Sequence, residues 1–189
     1  MALARAASIL ALVAGLLLAA SGPATAQNKI VLEGGGLFPT GNLGDACSTS
    51  PYLGATFEFQ RMNPLGQVAL LGLFLKAGYS PLSLEDDVEA SLDQQGLDTD
   101  ASYFEVALGA KANSSASPLY VTAHAGYARF DPAGGGDGKN GLATGIGLGM
   151  GFGAPAVHLA IEGRANFALL SGADNIEFFT LTAKLGFPF

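Results

Sequence analysis

The residues able to do chemistry are few. His124 and His158 are the only histidines, and Cys47 is the only cysteine. Two histidines could ligate a metal or assist a hydrolysis, but neither is accompanied by the paired serine or carboxylate that a nucleophilic site requires. One cysteine forms neither an internal disulfide nor a Cys-rich zinc site. The run Gly145-x-Gly147-x-Gly149 continues as Gly151 and Gly153. No helical pattern follows it and glycine recurs at every second residue, so it is not a phosphate loop. The remaining chemistry is ionic. Glu33, Glu58, Glu105 and Glu162 and the bases Lys76, Lys111, Arg164 and Lys184 each stand inside an otherwise apolar or small-residue alternation. Glu85, Asp86, Asp87, Glu89, Asp93, Asp98 and Asp100 crowd one segment, 80–101, that has no Lys or Arg. Hard cations favour clustered carboxylates, but these lack the Gly-centred twelve-residue calcium pattern. No metal site and no cofactor is expected.

The elements that must position those charges follow from composition and period. Of 189 residues, 27 are glycine and only 13% are charged, with a formal net charge of −7. Such a chain is neither disordered nor suited to nucleic acid, which calls for a basic face. Arg5 precedes an apolar run from Ala6 to Ala20, then Ser21-Gly22-Pro23 and the small-residue site Ala24-Thr25-Ala26. This pattern predicts a cleaved secretory signal peptide at 1–26, too short to span a bilayer as a helix, followed by a barrel domain at 27–189. Beyond it the sequence alternates with period two. Strands are expected near 29–38, 52–61, 66–79, 102–112, 118–130, 141–153, 156–170 and 177–189. Connections near 62–65, 113–117 and 154–155 are short; those near 39–51, 80–101, 131–140 and 171–176 are longer and polar. Leu84, Val88 and Leu92 recur every fourth residue, which permits a short amphipathic helix in the second long loop. The expected fold is all-β: an eight-stranded antiparallel up-and-down transmembrane barrel with short periplasmic turns and long extracellular loops.

Face composition sets which side looks inward. In the last strand Phe179, Leu181, Ala183, Leu185, Phe187 and Phe189 oppose Thr180, Thr182, Lys184 and Gly186. In the sixth, Leu142, Ile146, Leu148, Met150 and Phe152 oppose alternate glycines. A water-facing surface is not built from alternate glycines without a charge, whereas a narrow lumen is, because small residues leave room for long ones opposite. The apolar face is therefore expected to meet lipid, with Tyr79, Phe104, Tyr127, Phe152, Phe167, Phe187 and Phe189 as candidate interfacial aromatics and Arg61 and Arg129 at strand ends. The four acids and four bases then fall in the lumen, in balance, although the whole chain is acidic. A closed interior demands that balance. If the last long loop turns near Ala173, Glu162 and Lys184 stand opposite each other, with Arg164 one pleat away and Glu33 entering from the first strand. The expected lumen network comprises Glu33, Glu162, Arg164, Lys184, Lys76 and Glu105.

The opening Gly34-Gly35-Gly36-Leu37-Phe38-Pro39-Thr40-Gly41-Asn42-Leu43 and the later Tyr52-Leu53-Gly54-Ala55-Thr56-Phe57-Glu58-Phe59 resemble the small porin-like family of outer-membrane β-barrel proteins. The ending Leu181-Thr182-Ala183-Lys184-Leu185-Gly186-Phe187-Pro188-Phe189 is similar to the C-terminal signal of such barrels, with Leu185, Phe187 and Phe189 as its apolar positions; Pro188 departs from the usual pattern. The resemblance implies residence in the bacterial outer membrane, insertion by the barrel-assembly machinery, and no catalytic residues. The expected function is a structural or interaction scaffold with a charge-balanced, largely plugged lumen. Its expected partners are outer-membrane lipid and, through the acidic segment 80–101, an extracellular molecule. The alternative is a narrow channel for ions or small solutes. An outer-membrane hydrolase would need a paired histidine, which the sequence lacks.

Overall fold

A computed structural model describes residues 28–59, 69–114, 117–154, 157–172 and 174–189. The expected signal peptide at 1–26, Arg61, the turn at 62–65 and Ala173 lie outside the described residues. The strands are β1 (Lys29–Thr40), β2 (Ser50–Glu58), β3 (Ala69–Leu82), β4 (Ala101–Ser114), β5 (Leu119–Asp131), β6 (Lys139–Ala154), β7 (Val157–Leu170) and β8 (Ile176–Pro188). Two helices sit in the connections, α1 (Gly41–Gly44) and α2 (Asp86–Gln94). Each strand pairs antiparallel with the next, and β1 closes on β8 from Lys29↔Pro188 to Thr40↔Glu177. The result is a closed eight-stranded up-and-down barrel. Closure leaves no open sheet edge, the requirement for a sheet that crosses lipid. Among the described residues no helix is long and apolar enough to cross a membrane.

Burial alternates along every strand. Leu32, Leu53, Leu108, Ile146, Leu148, Leu159, Ile161 and Leu181 project outward and are exposed, while the polar partners on the opposite parity are buried. This inverts the soluble rule, and an apolar belt of this extent is a lipid-facing surface. Tyr79, Tyr127, Phe152, Phe167, Phe187 and Phe189 lie on it. Asn28 and Phe189, the first and last described residues, lie at the barrel end where β4 and β6 finish and β5 and β7 begin, here the short-turn end; connections 41–49, 83–100 and 132–138 lie at the other, the long-loop end.

The glycines of β6 face inward. A Cβ at Gly145 would collide with the His124 ring, one at Gly147 would come within 2.5 Å of Thr122 Oγ1 and 3.0 Å of Glu162 Oε1, and one at Gly149 would collide with the Tyr120 ring. The bare wall of β6 therefore accommodates the long side chains of β5 and β7.

Two expectations need correction. Lys184 lies opposite Ala160, and Glu162 opposite Thr182, so the β7–β8 register is one pleat away from the direct Glu162–Lys184 pairing. The last loop turns about Gly172, whose positive φ of 69° takes the chain through a conformation that favours glycine. The segment expected as a loop at 80–101 is also shorter, because β3 runs on to Leu82 and its last residues continue the ladder with β4.

Candidate functional site

The lumen contains the charged residues in three layers, stacked between the two ends of the barrel. Every one of them lies on a strand, at the inward parity, so its position follows from register.

At the short-turn end Lys29 of β1 faces Glu58 of β2, with Nζ 3.2 Å from Oε2. Lys111 of β4 reaches the same carboxylate from the other side, Nζ donating to Glu58 Oε1 at 2.9 Å, and stands 4.2 Å above the centre of the Tyr120 ring. That geometry adds a cation–π attraction. The balanced count therefore needs correction: Lys29 is a fifth lumen cation, at the first position of β1, where a charge reads as a strand-end residue.

The middle layer crosses strands 7, 8 and 1. Arg164 donates through Nε (2.8 Å) and Nη2 (2.5 Å) to Glu162 Oε1, and its Nη2 lies 3.3 Å from Glu33 Oε2. Lys184 bridges the same two acids, at 2.8 Å from Glu162 Oε2 and 3.2 Å from Glu33 Oε1. Glu33 and Lys184 are direct cross-strand partners; Glu162 meets Lys184 on the diagonal, which a lysine stem readily spans. Thr56 donates to Glu33 (2.6 Å) and Thr122 to Glu162 (3.3 Å). Glu33, Glu162 and Arg164 are buried, Lys184 is partly so, and the four charges alternate in sign, the arrangement that offsets desolvation.

Toward the long-loop end Lys76 of β3 lies 2.7 Å from Glu105 Oε1 of β4, both at 0% exposure. Tyr52 donates its hydroxyl to Glu105 at 3.0 Å, and His124 Nε2 lies 3.5 Å from Glu105 Oε2. The histidine thus packs beside a carboxylate already occupied by lysine and tyrosine. His158 lies elsewhere, beside Lys29 at the short-turn end.

Above these layers the lumen becomes apolar. Leu37, Leu82, Ala101, Tyr103, Ala128, Ala143, Ala168, Leu170, Ile176 and Phe178 form one buried cluster. Tyr103 and Phe178 meet edge to face at 4.8 Å between centroids, a favourable aromatic geometry. Loop residues complete the cap. Leu43 of α1 and Cys47 are buried in the cluster, and Leu84 packs against it. Ala46–Ser48 pair with Ser83–Glu85 through Ser48 N to Ser83 O (2.9 Å) and Glu85 N to Ala46 O (3.1 Å), tying the first long loop to the second. Burial and the neighbouring Glu85 carboxylate push the Cys47 thiol up from its ordinary pKa. The alternation of polar and apolar faces conceals this cap in the sequence, because its members are apolar residues on the lumen parity. The signal was the change of the inward residues from charged to apolar toward the long loops.

Helix α2 follows the cap. Leu84, Val88 and Leu92 turn to its half-buried side, while Asp86, Asp87, Glu89 and Asp93 are exposed. Asp86, Asp87 and Glu89 occupy the first turn, where carboxylates complement the helix dipole. The loop ends on Gly134 N donating to Asp98 O, so the second and third long loops also touch. Twelve of the sixteen carboxylates lie at the long-loop end and four in the lumen. Among the described residues no group of three or more His, Cys, Asp or Glu gathers as a metal site. The C-terminal positions Leu185, Phe187 and Phe189 lie on the outward parity of β8 and beyond it, and Phe189 approaches Phe57 at 5.9 Å.

No protein-family model matches the chain, and no curated protein matches it by sequence. Solved structures do. The crystal structure of neisserial surface protein A matches at a TM-score of 0.61 with 14% identity, over 86% of this chain and 97% of that one. The outer membrane protein Ail of Yersinia pestis, determined in a phospholipid bilayer nanodisc, matches at 0.49 with 13% identity over 87% and 99%. A major outer membrane protein of Thermus thermophilus matches at 0.45 with 12% identity over 86% and 99%. The first likeness establishes the fold: this chain has that of a small outer-membrane β-barrel.

Proposed function

We propose that the chain is an integral protein of the bacterial outer membrane that acts as a non-conducting scaffold, holding its acidic loops at the cell surface. The observation that carries this reading is the filled lumen: three ionic layers beneath an apolar cap, with loop residues Leu43 and Cys47 built into the seal. Eight strands leave an interior that side chains can just fill. Among the described residues two cavities of about 10 Å³, about the space of one water each, lie beside Glu58 and Lys111, and a space of that size does not admit a solute. The outward apolar belt supports lipid as the partner around the barrel. The likeness to a neisserial surface protein supports the long-loop end as the outer one, so that the termini and short turns face the periplasm. The outward apolar residues of the final strand serve the barrel-assembly machinery, and a signal peptide at 1–26 supplies export. The exposed carboxylates of 83–100 are the surface offered to an extracellular partner.

Liposome swelling tests the scaffold against the narrow channel. Vesicles containing the refolded protein should shrink and remain shrunken in small sugars and amino acids, as protein-free vesicles do. Re-swelling above the protein-free rate would overturn the reading.

A further inference from the structure

The ionic layers of the lumen are not equally balanced. Arg164 and Lys184 face Glu33 and Glu162, two cations for two carboxylates, and Lys76 faces Glu105, one for one. At the short-turn end Lys29 and Lys111 share the single carboxylate of Glu58. Among the described residues the lumen therefore carries one surplus positive charge, and the surplus belongs to this layer. Both cavities described above are also lined by Glu58 and Lys111. The second of them extends to Glu33, Thr122, Arg164 and Lys184 of the middle layer, so its lining carries three cations and two carboxylates. Arg164 itself is buried and its Nη1 has no hydrogen-bond partner among the described residues. Surplus charge, space for one small particle and an unspent guanidinium donor thus occur together. A partly buried cation without a counter-charge is costly, and the remedy is a counterion.

We propose that this cavity binds one small monovalent anion of halide size, held by Lys111 with Arg164 and Lys184 and admitted from the short-turn end. Carboxylate-bearing solutes and phosphate are too large for a space of about one water. The site rests on the short-turn layer and its cavity alone, so it does not depend on whether the layers above it close the barrel.

The test uses the refolded chain in detergent micelles and reads the urea midpoint of unfolding at constant ionic strength. Sodium chloride or sodium bromide replaces sodium gluconate, whose anion is too large to enter. A ligand that binds only the folded state raises the midpoint with saturation. The wild type should show that saturable rise, and Lys111→Met, in which the layer is neutral, should lose it. Lys29→Met makes the same charge change from β1 and should also lose the rise; it serves if Lys111→Met does not refold. A wild-type midpoint that is equal in chloride and gluconate overturns the proposal, because the cavity then holds water only. So does a halide effect of the same size in wild type and lysine variants. Anomalous scattering from crystals grown in bromide answers without any variant. A peak in the cavity beside Lys111 is expected, and its absence at high bromide overturns the site.

Discussion

Removing Glu162 should be the most damaging single change in the lumen, and removing its partner as well should add little further harm. Glu162 accepts from Arg164 at 2.8 Å through Nε and from Lys184 at 2.8 Å, so Glu162→Gln strands two cations on Glu33 alone. At an effective dielectric of about 20, opposite charges roughly 3 Å apart attract by about 5–6 kcal/mol, most of which desolvation cancels in the intact layer. Breaking a buried pair by removing one partner costs about 3–5 kcal/mol. Glu162→Gln belongs at the upper end, about 5 kcal/mol, because the lost charge faces two cations. Lys184→Met belongs near about 3 kcal/mol, since the lysine side chain is 10% exposed and Arg164 still lies between both acids. The double variant leaves Glu33 and Arg164 as one neutral pair. Its cost should be about 5 kcal/mol rather than the sum, a coupling of roughly 3 kcal/mol, at the top of the range for residues in contact. Urea unfolding of refolded protein, followed by heat-modifiable gel migration, reads all four corners of the cycle. Strict additivity would mean that the two charges do not interact, and the account of the middle layer would fail.

The remaining predictions address the wall, the cap and the loops. Gly147→Val places two methyl groups against Thr122 and Glu162 and should cost about 1–3 kcal/mol by overpacking, whereas a valine at outward-facing Gly34, near only the Leu53 side chain, should cost less; equal midpoints would deny that β6 is the bare wall. Phe178→Ala empties the site opposite Tyr103 and should lower stability by about 3–5 kcal/mol in the same assay. On intact cells a cysteine replacing exposed Asp93, in a Cys47→Ala background, should react quickly with an impermeant thiol reagent, and one replacing Ser117 only after the outer membrane is breached; the reverse order would invert the barrel. Native Cys47 should react more slowly than the cysteine at position 93, because burial and Glu85 hold its thiol protonated at neutral pH, and Glu85→Gln should speed it.

The barrel was legible because a strand's two faces are separated by parity alone. Once Thr180, Thr182 and Lys184 are set against Phe179, Leu181 and Leu185, each inward residue of β8 is named, and the same holds for Glu162 and Arg164 on β7. What parity does not carry is register between strands. A shift of two residues keeps every side chain on its face, so the turn about Gly172 moved Lys184 opposite Ala160 without disturbing the lumen assignment. Parity also fails at strand ends. Lys29 stands at the first residue of β1, and only the β1–β2 ladder shows it facing Glu58. The cap was hidden for a different reason: Leu37, Tyr103 and Phe178 are apolar residues pointing inward, and composition alone assigns such residues to lipid.

The proposed scaffold role rests on a lumen closed by ionic layers and an apolar cap. Planar-bilayer recording of the refolded wild-type protein tests it most directly. Protein confirmed by gel mobility to be folded and inserted should give no resolvable single-channel steps at either polarity. Reproducible steps of uniform size from that same preparation would contradict it.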